Sequence, residues 1–127
     1  MRLKEKVSII TGAASGFGEG IAKKFSEEGA KLILADINKD LLEKVSNGLN
    51  QDFFHVDVSN SNSMKKLSEY VLNKYGTIDI MVNNAGITHL PKPLEDVDEE
   101  EFDKVFEVNS KSVFLCGKFF VPHMKKE

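Results

Sequence analysis

Residues 6 to 18 read KVSIITGAASGFG: a short apolar run that stops at Gly12 and is followed closely by Gly16 and Gly18. Apolar residues then recur at Ile21 and Phe25, one helix face, until Gly29, a residue type that commonly ends helices. The stretch therefore predicts strand, glycine turn, helix. Moving outward, the same alternation repeats. KLILAD at 31 to 36 is a second buried strand, and Asn38 is placed to cap a helix with apolar face Leu41, Leu42, Val45 and Leu49. FFHVD at 53 to 57 is a third strand. The Ser and Asn residues of 59 to 63 supply a cap, and Met64, Leu67, Val71 and Tyr75 form the stripe of a third helix ended by Gly76. IDIMVN at 78 to 83 is a fourth strand. Nearly continuous apolar strands separated by single helices imply a parallel sheet covered on both faces by right-handed crossovers. The expected fold class is α/β, a doubly wound parallel sheet of the Rossmann type.

Beyond the fourth strand lies the loop NNAGITHLPKPLEDV (83 to 97), where Pro91 and Pro93 forbid a regular helix. DEEEF (98 to 102) then opens another helix, its carboxylates at the end where the dipole favours negative charge. From Ser110 to Met124 the run is apolar on almost every side, which predicts a helix buried all round, with Pro122 kinking or ending it.

The 127 residues, 41% of them hydrophobic and nine of them Phe, suffice for the core of one domain. Lys and Arg number 17 against 20 Asp and Glu, a net charge of -3, and the basic residues are scattered. Nothing here favours a nucleic-acid or anionic-membrane partner. No signal-peptide core or membrane-spanning run is visible. The single cysteine, Cys116, has no partner for an internal disulfide, which fits a reducing, cytoplasmic setting. His55, His89 and His123 have no metal-ligand spacing, and no metal site is expected.

The turn TGAASGFG (11 to 18) stands where a doubly wound sheet binds dinucleotide phosphates. Gly12 permits the tight turn, and Gly16 and Gly18, with Ser15 and Phe17 beside them, let backbone approach a pyrophosphate or the sheet. The strict G-x-G-x-x-G pattern fails because Ile21 occupies its last position, and the plainer reading is a turn serving strand-helix packing. Asp36 closes the second strand 18 residues after Gly18, near the roughly 20 at which an acidic side chain meets an adenosine ribose. It is followed by Ile37, so no basic neighbour stands ready for a 2′-phosphate, and NAD is expected over NADP.

Together these residues resemble the short-chain dehydrogenase/reductases, over essentially the whole chain. TGAASGFG is similar to their cofactor turn. Asp57 and Val58 in DVS resemble their adenine contact, and Asn84, Ala85 and Gly86 in NNAG the segment after their fourth strand. Asn109 in VNSKS resembles their catalytic asparagine, which holds a water in the proton path. The resemblance implies an NAD-dependent enzyme, similar to 3-oxoacyl-carrier-protein reductases, that moves hydride between NAD(H) and an alcohol or carbonyl compound. It also implies a homo-oligomer in which the Ser110 to Met124 helix packs on another subunit.

The family's catalytic Tyr-x-x-x-Lys follows both NNAG and the asparagine, whereas YVLNK, with Tyr70 and Lys74, precedes both. Tyr70 and Lys74 read instead as a packing pair one helical turn apart. No Ser, Tyr and Lys set follows Asn109 before Glu127. Residues 1 to 127 are therefore expected to be the cofactor-binding, N-terminal part of a single-domain enzyme, its sheet incomplete on the C-terminal side, and inactive alone. The alternative is a non-catalytic module that senses NAD.

Overall fold

The computed structural model describes residues 1–85 and 94–125. Pro91 and Pro93, with the loop around them, and Gly86 lie outside the described residues. Four strands, β1 (Val7–Thr11), β2 (Lys31–Asp36), β3 (Asp52–His55) and β4 (Ile80–Val82), pair in parallel in the order β3-β2-β1-β4. Three helices connect them: α1 (Gly16–Glu27), α2 (Lys39–Leu49) and α3 (Ser61–Tyr75). After β4 come α4 (Glu99–Phe106), a π-helical turn (Glu107–Lys111) and α5 (Ser112–Met124).

Strand side chains alternate between faces, and both faces are buried. Ile9 and Ile33 pack with Met64, Leu67 and Val71 of α3 and Leu115 and Phe120 of α5, while Ile10, Leu32 and Leu34 pack with Ala22 of α1 and Leu42 of α2. Helices on both faces of a parallel sheet make the doubly wound architecture that the alternation predicts. The caps fall where expected. Asn38 accepts from the Leu41 N–H at 3.1 Å, and Asn60 from that of Ser63 at 2.9 Å. β4 is shorter than its apolar run because Asp79 closes the ladder with its side chain, accepting from the Val7 N–H at 2.9 Å.

The expectation for α5 needs correction. Leu115, Cys116 and Phe120 are buried, but Val113 and Phe114 are 60% and 63% exposed, so this chain covers only one face of the helix. Pro122 does not break α5 early. It sits in the last turn, so the one hydrogen bond it removes lies near the helix end, and the helix runs on to Met124.

Tyr70 and Lys74 meet at the start of β3. Asp52 accepts from the Tyr70 hydroxyl at 2.7 Å, the Tyr75 hydroxyl at 2.9 Å and the Lys74 ammonium at 2.9 Å. Lys74 also reaches the Tyr70 oxygen at 3.3 Å, and the Phe54 and Tyr70 rings lie 5.0 Å apart. Burial pushes the Asp52 carboxyl up, but bonds from Lys74, Tyr70, Tyr75 and the Phe53 N–H outweigh it and hold the group below its ordinary 3.8. Burial, then Asp52, pushes Tyr75 up from 10.0 to about 12.

Asp52→Ala is expected to cost about 1–3 kcal/mol at neutral pH, mostly through the two hydroxyls, since the Lys74 partner is exposed and screened. A depressed carboxyl stabilises the fold above its unfolded value and stops doing so as pH falls through its folded value. A raised phenol stabilises below 10 and stops doing so as pH rises toward about 12. Denaturant midpoints of the two proteins should therefore differ by a constant amount near neutrality and converge at both extremes.

Candidate functional site

A parallel sheet brings the C-terminal ends of its strands to one edge. The register sets Thr11 beside Ala35, Ile10 beside Val82 and Asp36 beside His55. The residues that follow, Gly12, Ile37, Asp57 and Asn84, are thus neighbours despite their distance in sequence. Because β2 lies on one side of β1 and β4 on the other, the chain changes winding direction at β1, where such sheets open a crevice.

The three glycines of the turn serve different needs. Gly12 has φ +65°, and a Cβ there would stand 2.9 Å from the Ala85 Cα. A Cβ on Gly18 would overlap the Gly12 carbonyl oxygen and press on the Asn84 amide, so Gly18 seats α1 against the sheet. Gly16, at φ +60°, has nothing within 4 Å of its Cβ position and leaves open space above the turn. Ser15, Gly16 and Phe17 are exposed, and the Ser15 side chain makes no capping bond to the N-terminus of α1. Unpaired N–H groups at a helix start, beside a glycine that clears the approach, suit an anionic oxygen.

Next to the turn is a cavity of ≈ 290 Å³, lined mostly by apolar surface, with Asp36 and Ile37 on one wall, Val56 to Val58 on another, and Ala85, Lys104 and Val108 closing it. The Asp36 carboxylate accepts from the Ala14 N–H at 3.0 Å and the Asn38 N–H at 2.9 Å, which ties the glycine turn to the start of α2. Asp57 accepts from the Ser59 N–H at 3.0 Å and hydroxyl at 2.7 Å. Burial raises its carboxyl, yet the Ser59 bonds and the charges of Lys104 and Lys111 outweigh it and hold Asp57 below the ordinary value, an ionised acceptor. Asn84 faces the turn from behind and donates its side-chain amide to the Gly12 carbonyl at 3.2 Å.

A family profile described as short chain dehydrogenase matches residues 6–127. The chain belongs to the short-chain dehydrogenase family. Zerumbone synthase of Zingiber zerumbet is 43% identical over 98% of this chain and 50% of its own length. The 3-oxoacyl-[acyl-carrier-protein] reductase FabG of Thermotoga maritima is 43% identical over 100% of this chain and 53% of its own. A crystal structure of 3-ketoacyl-(acyl-carrier-protein) reductase from Brucella melitensis complexed with NADH superposes with a TM-score of 0.93 at 41% identity, over 97% of this chain and 51% of that one. The chain thus spans about half the length of the relatives it matches.

Within this dehydrogenase half, the structure gathers Gly12, Asp36, Ile37, Asp57, Val58 and Ala85 around one cavity and sets Ser15, Gly16, Phe17 and Gly18 in the turn and first helical residues that follow Gly12. Asn109 stands apart. It lies in the π-helical turn, exposed, one residue beyond the cavity-lining Val108. Such turns recur at functional sites because the extra residue re-aims neighbouring groups. Three contributors escaped sequence reasoning. Thr11 is fully buried, and its hydroxyl accepts from the Asn84 and Ala85 N–H groups at 3.0 Å each, clamping the residues after β4 to β1. A buried polar residue ending an apolar strand was the available signal. Lys104 and Val108 sit one turn apart on a helix whose placement over the cavity no local pattern reveals. Among the described residues, no group of acidic, His and Cys side chains is arranged to hold a metal, and no helix is long and apolar enough to cross a membrane.

Proposed function

We propose that the complete protein carrying this chain is an NAD-dependent oxidoreductase, with residues 1–127 as the cofactor-binding part of a single domain. The observation that carries this reading is the convergence of an uncapped helix start, an open glycine, an apolar cavity and the Asp36 carboxylate at the switch point of one sheet. NAD bound there would supply the hydride acceptor or donor at its nicotinamide. The α1 N–H groups and Gly16 hold the pyrophosphate, Asp36 accepts from ribose hydroxyls, and the cavity takes the adenine with Asp57 as acceptor for its amino group. Asn84 supports the turn through the Gly12 carbonyl, and Ala85 lines the cavity. Asn109 holds a water in the proton path to an alcohol or carbonyl substrate, as the likeness to FabG and its kin supports.

Of the groups that do proton chemistry, the chain's two tyrosines are Tyr70 and Tyr75, and both donate to Asp52 at the other end of β3. Their raised affinity for the proton is the opposite of what a general acid near neutral pH needs. Residues 1–127 alone are therefore expected to transfer hydride at least about 10²- to 10⁴-fold more slowly than the complete protein. The test is NADH oxidation with a panel of ketones and oxoacyl thioesters, run on both. Turnover by the complete protein supports the reading. Tight NAD binding without turnover would favour the sensor instead. Equal turnover by 1–127 and its abolition by Tyr70→Phe would overturn the assignment of Tyr70.

We also infer a homo-oligomer, in the cytoplasm, where the buried thiol of Cys116, raised by burial to about 11, stays reduced and inert. Phe102 and Phe106 on α4, stacked at 6.3 Å, together with Val113 and Phe114 on α5, are each at least 60% exposed. Four large apolar side chains exposed on these two successive helices support an interface here. Light scattering is expected to show a dimer or tetramer for the complete protein and dissociation for Phe114→Asp. A monomeric wild type would refute it.

A further inference from the structure

We propose that His55 is a positioning residue for the adenosine end of the cofactor, setting how tightly NAD binds and how firmly NADP is refused. The inference rests on the reading of the cavity as the adenosine site. The β2–β3 ladder ends at the bond from the Val56 N–H to the Asp36 carbonyl, 3.0 Å. One step further, no backbone donor among the described residues serves the Ile37 carbonyl. The His55 side chain supplies it instead, with Nε2 2.8 Å from the Ile37 carbonyl oxygen. A carbonyl oxygen only accepts, so Nε2 carries the proton and the bond extends the ladder by one rung past the strand.

That rung holds the segment that matters most for recognition. Asp36, Ile37 and Asn38 form the turn between β2 and α2, and Asp36 and Ile37 wall the cavity. Asp36 is fixed through its carboxylate by Ala14 and Asn38, and Ile37, 64% exposed, has little packing to hold it. Without His55 the turn keeps the Ala14 bond to Asp36 but loses the anchor at Ile37, so Ile37 and the adjoining Asn38 N–H, one of the carboxylate's two donors, sample a wider range of positions and the carboxylate with them. A carboxylate that is less well placed both binds ribose hydroxyls less well and repels a 2′-phosphate less sharply. Loss of fold stability alone would not change the ratio of the two affinities.

The experiment is calorimetric titration of the complete protein with NADH and NADPH, for wild type, His55→Leu and His55→Gln, with melting temperatures recorded alongside. His55→Leu is expected to raise the NADH dissociation constant by about 3- to 10-fold, the span of one net hydrogen bond, and to narrow the NADH/NADPH ratio. His55→Gln, whose amide also donates, should recover at least half of both effects. An unchanged NADH affinity and ratio in His55→Leu would overturn the proposal while leaving the site reading intact, as would a Gln variant no better than Leu. A wild type that binds neither dinucleotide would instead defeat the site reading, and this proposal with it.

Discussion

Gly18→Ala is expected to destabilise the protein by about 2–4 kcal/mol, whereas Gly20→Ala, one half-turn along the same helix, stabilises it by about 0.5–1 kcal/mol. Helix propensity favours alanine equally at both positions, so the opposite signs come from surroundings. At Gly20 an added methyl meets nothing within 4 Å. At Gly18 it meets the Gly12 carbonyl, which is backbone and cannot swing aside, and the Asn84 amide that donates to that carbonyl. Relief requires α1 to lift from the turn, which opens the contact of Asn84 and Ala85 with Thr11 and Gly12. Denaturant unfolding of the complete protein and both variants provides the measurement. A Gly18→Ala protein as stable as wild type would show that the turn is more compliant than its packing indicates.

Asp36→Ala is expected to weaken NADH binding by about 10- to 100-fold, the worth of hydrogen bonds to a charged acceptor, while weakening NADPH binding far less or improving it. The asymmetry has an electrostatic origin. Two like charges about 4 Å apart near a protein surface repel by about 4 kcal/mol, and removing the carboxylate removes that term only for the phosphorylated cofactor. Because Asp36 also accepts from Ala14 and Asn38, the alanine variant loosens the turn. Asp36→Asn removes the charge and disturbs the turn less, since its single amide oxygen still accepts from one of those two N–H groups. Titration of all three proteins with both dinucleotides decides the matter. A wild type that prefers NADPH would show Asp36 misassigned, and Lys104, a cation that lines the same cavity, would become the residue to examine.

The amino-acid sequence alone determined the order of elements, the parallel doubly wound sheet and the family resemblance. The information there is local: apolar period, glycine and asparagine at helix ends, and short motifs in a fixed order each depend on neighbours within a few residues. Val7–Thr11 and Lys31–Asp36 declare themselves as buried strands without reference to anything else in the chain. The contact between Tyr70 and Lys74 in YVLNK was legible too, because residues one helical turn apart meet as a matter of local geometry.

Only the tertiary structure decided which partners those residues have. Three donors from α3 converge on Asp52, Thr11 clamps Asn84 and Ala85 across more than 70 residues, and Lys104 and Val108 close a cavity begun by Gly12 and Asp36. The same holds for the division of labour among the glycines, where Gly18 serves packing and Gly16 leaves the approach open. It holds as well for α5, whose apolar run implied burial on every side although the sheet covers one face and leaves Phe114 exposed. The physical reason is common to all of these. Strand and helix formation answer to the chain's own periodicity, while a contact between distant residues depends on strand register and crossover direction, which arise only when the elements pack.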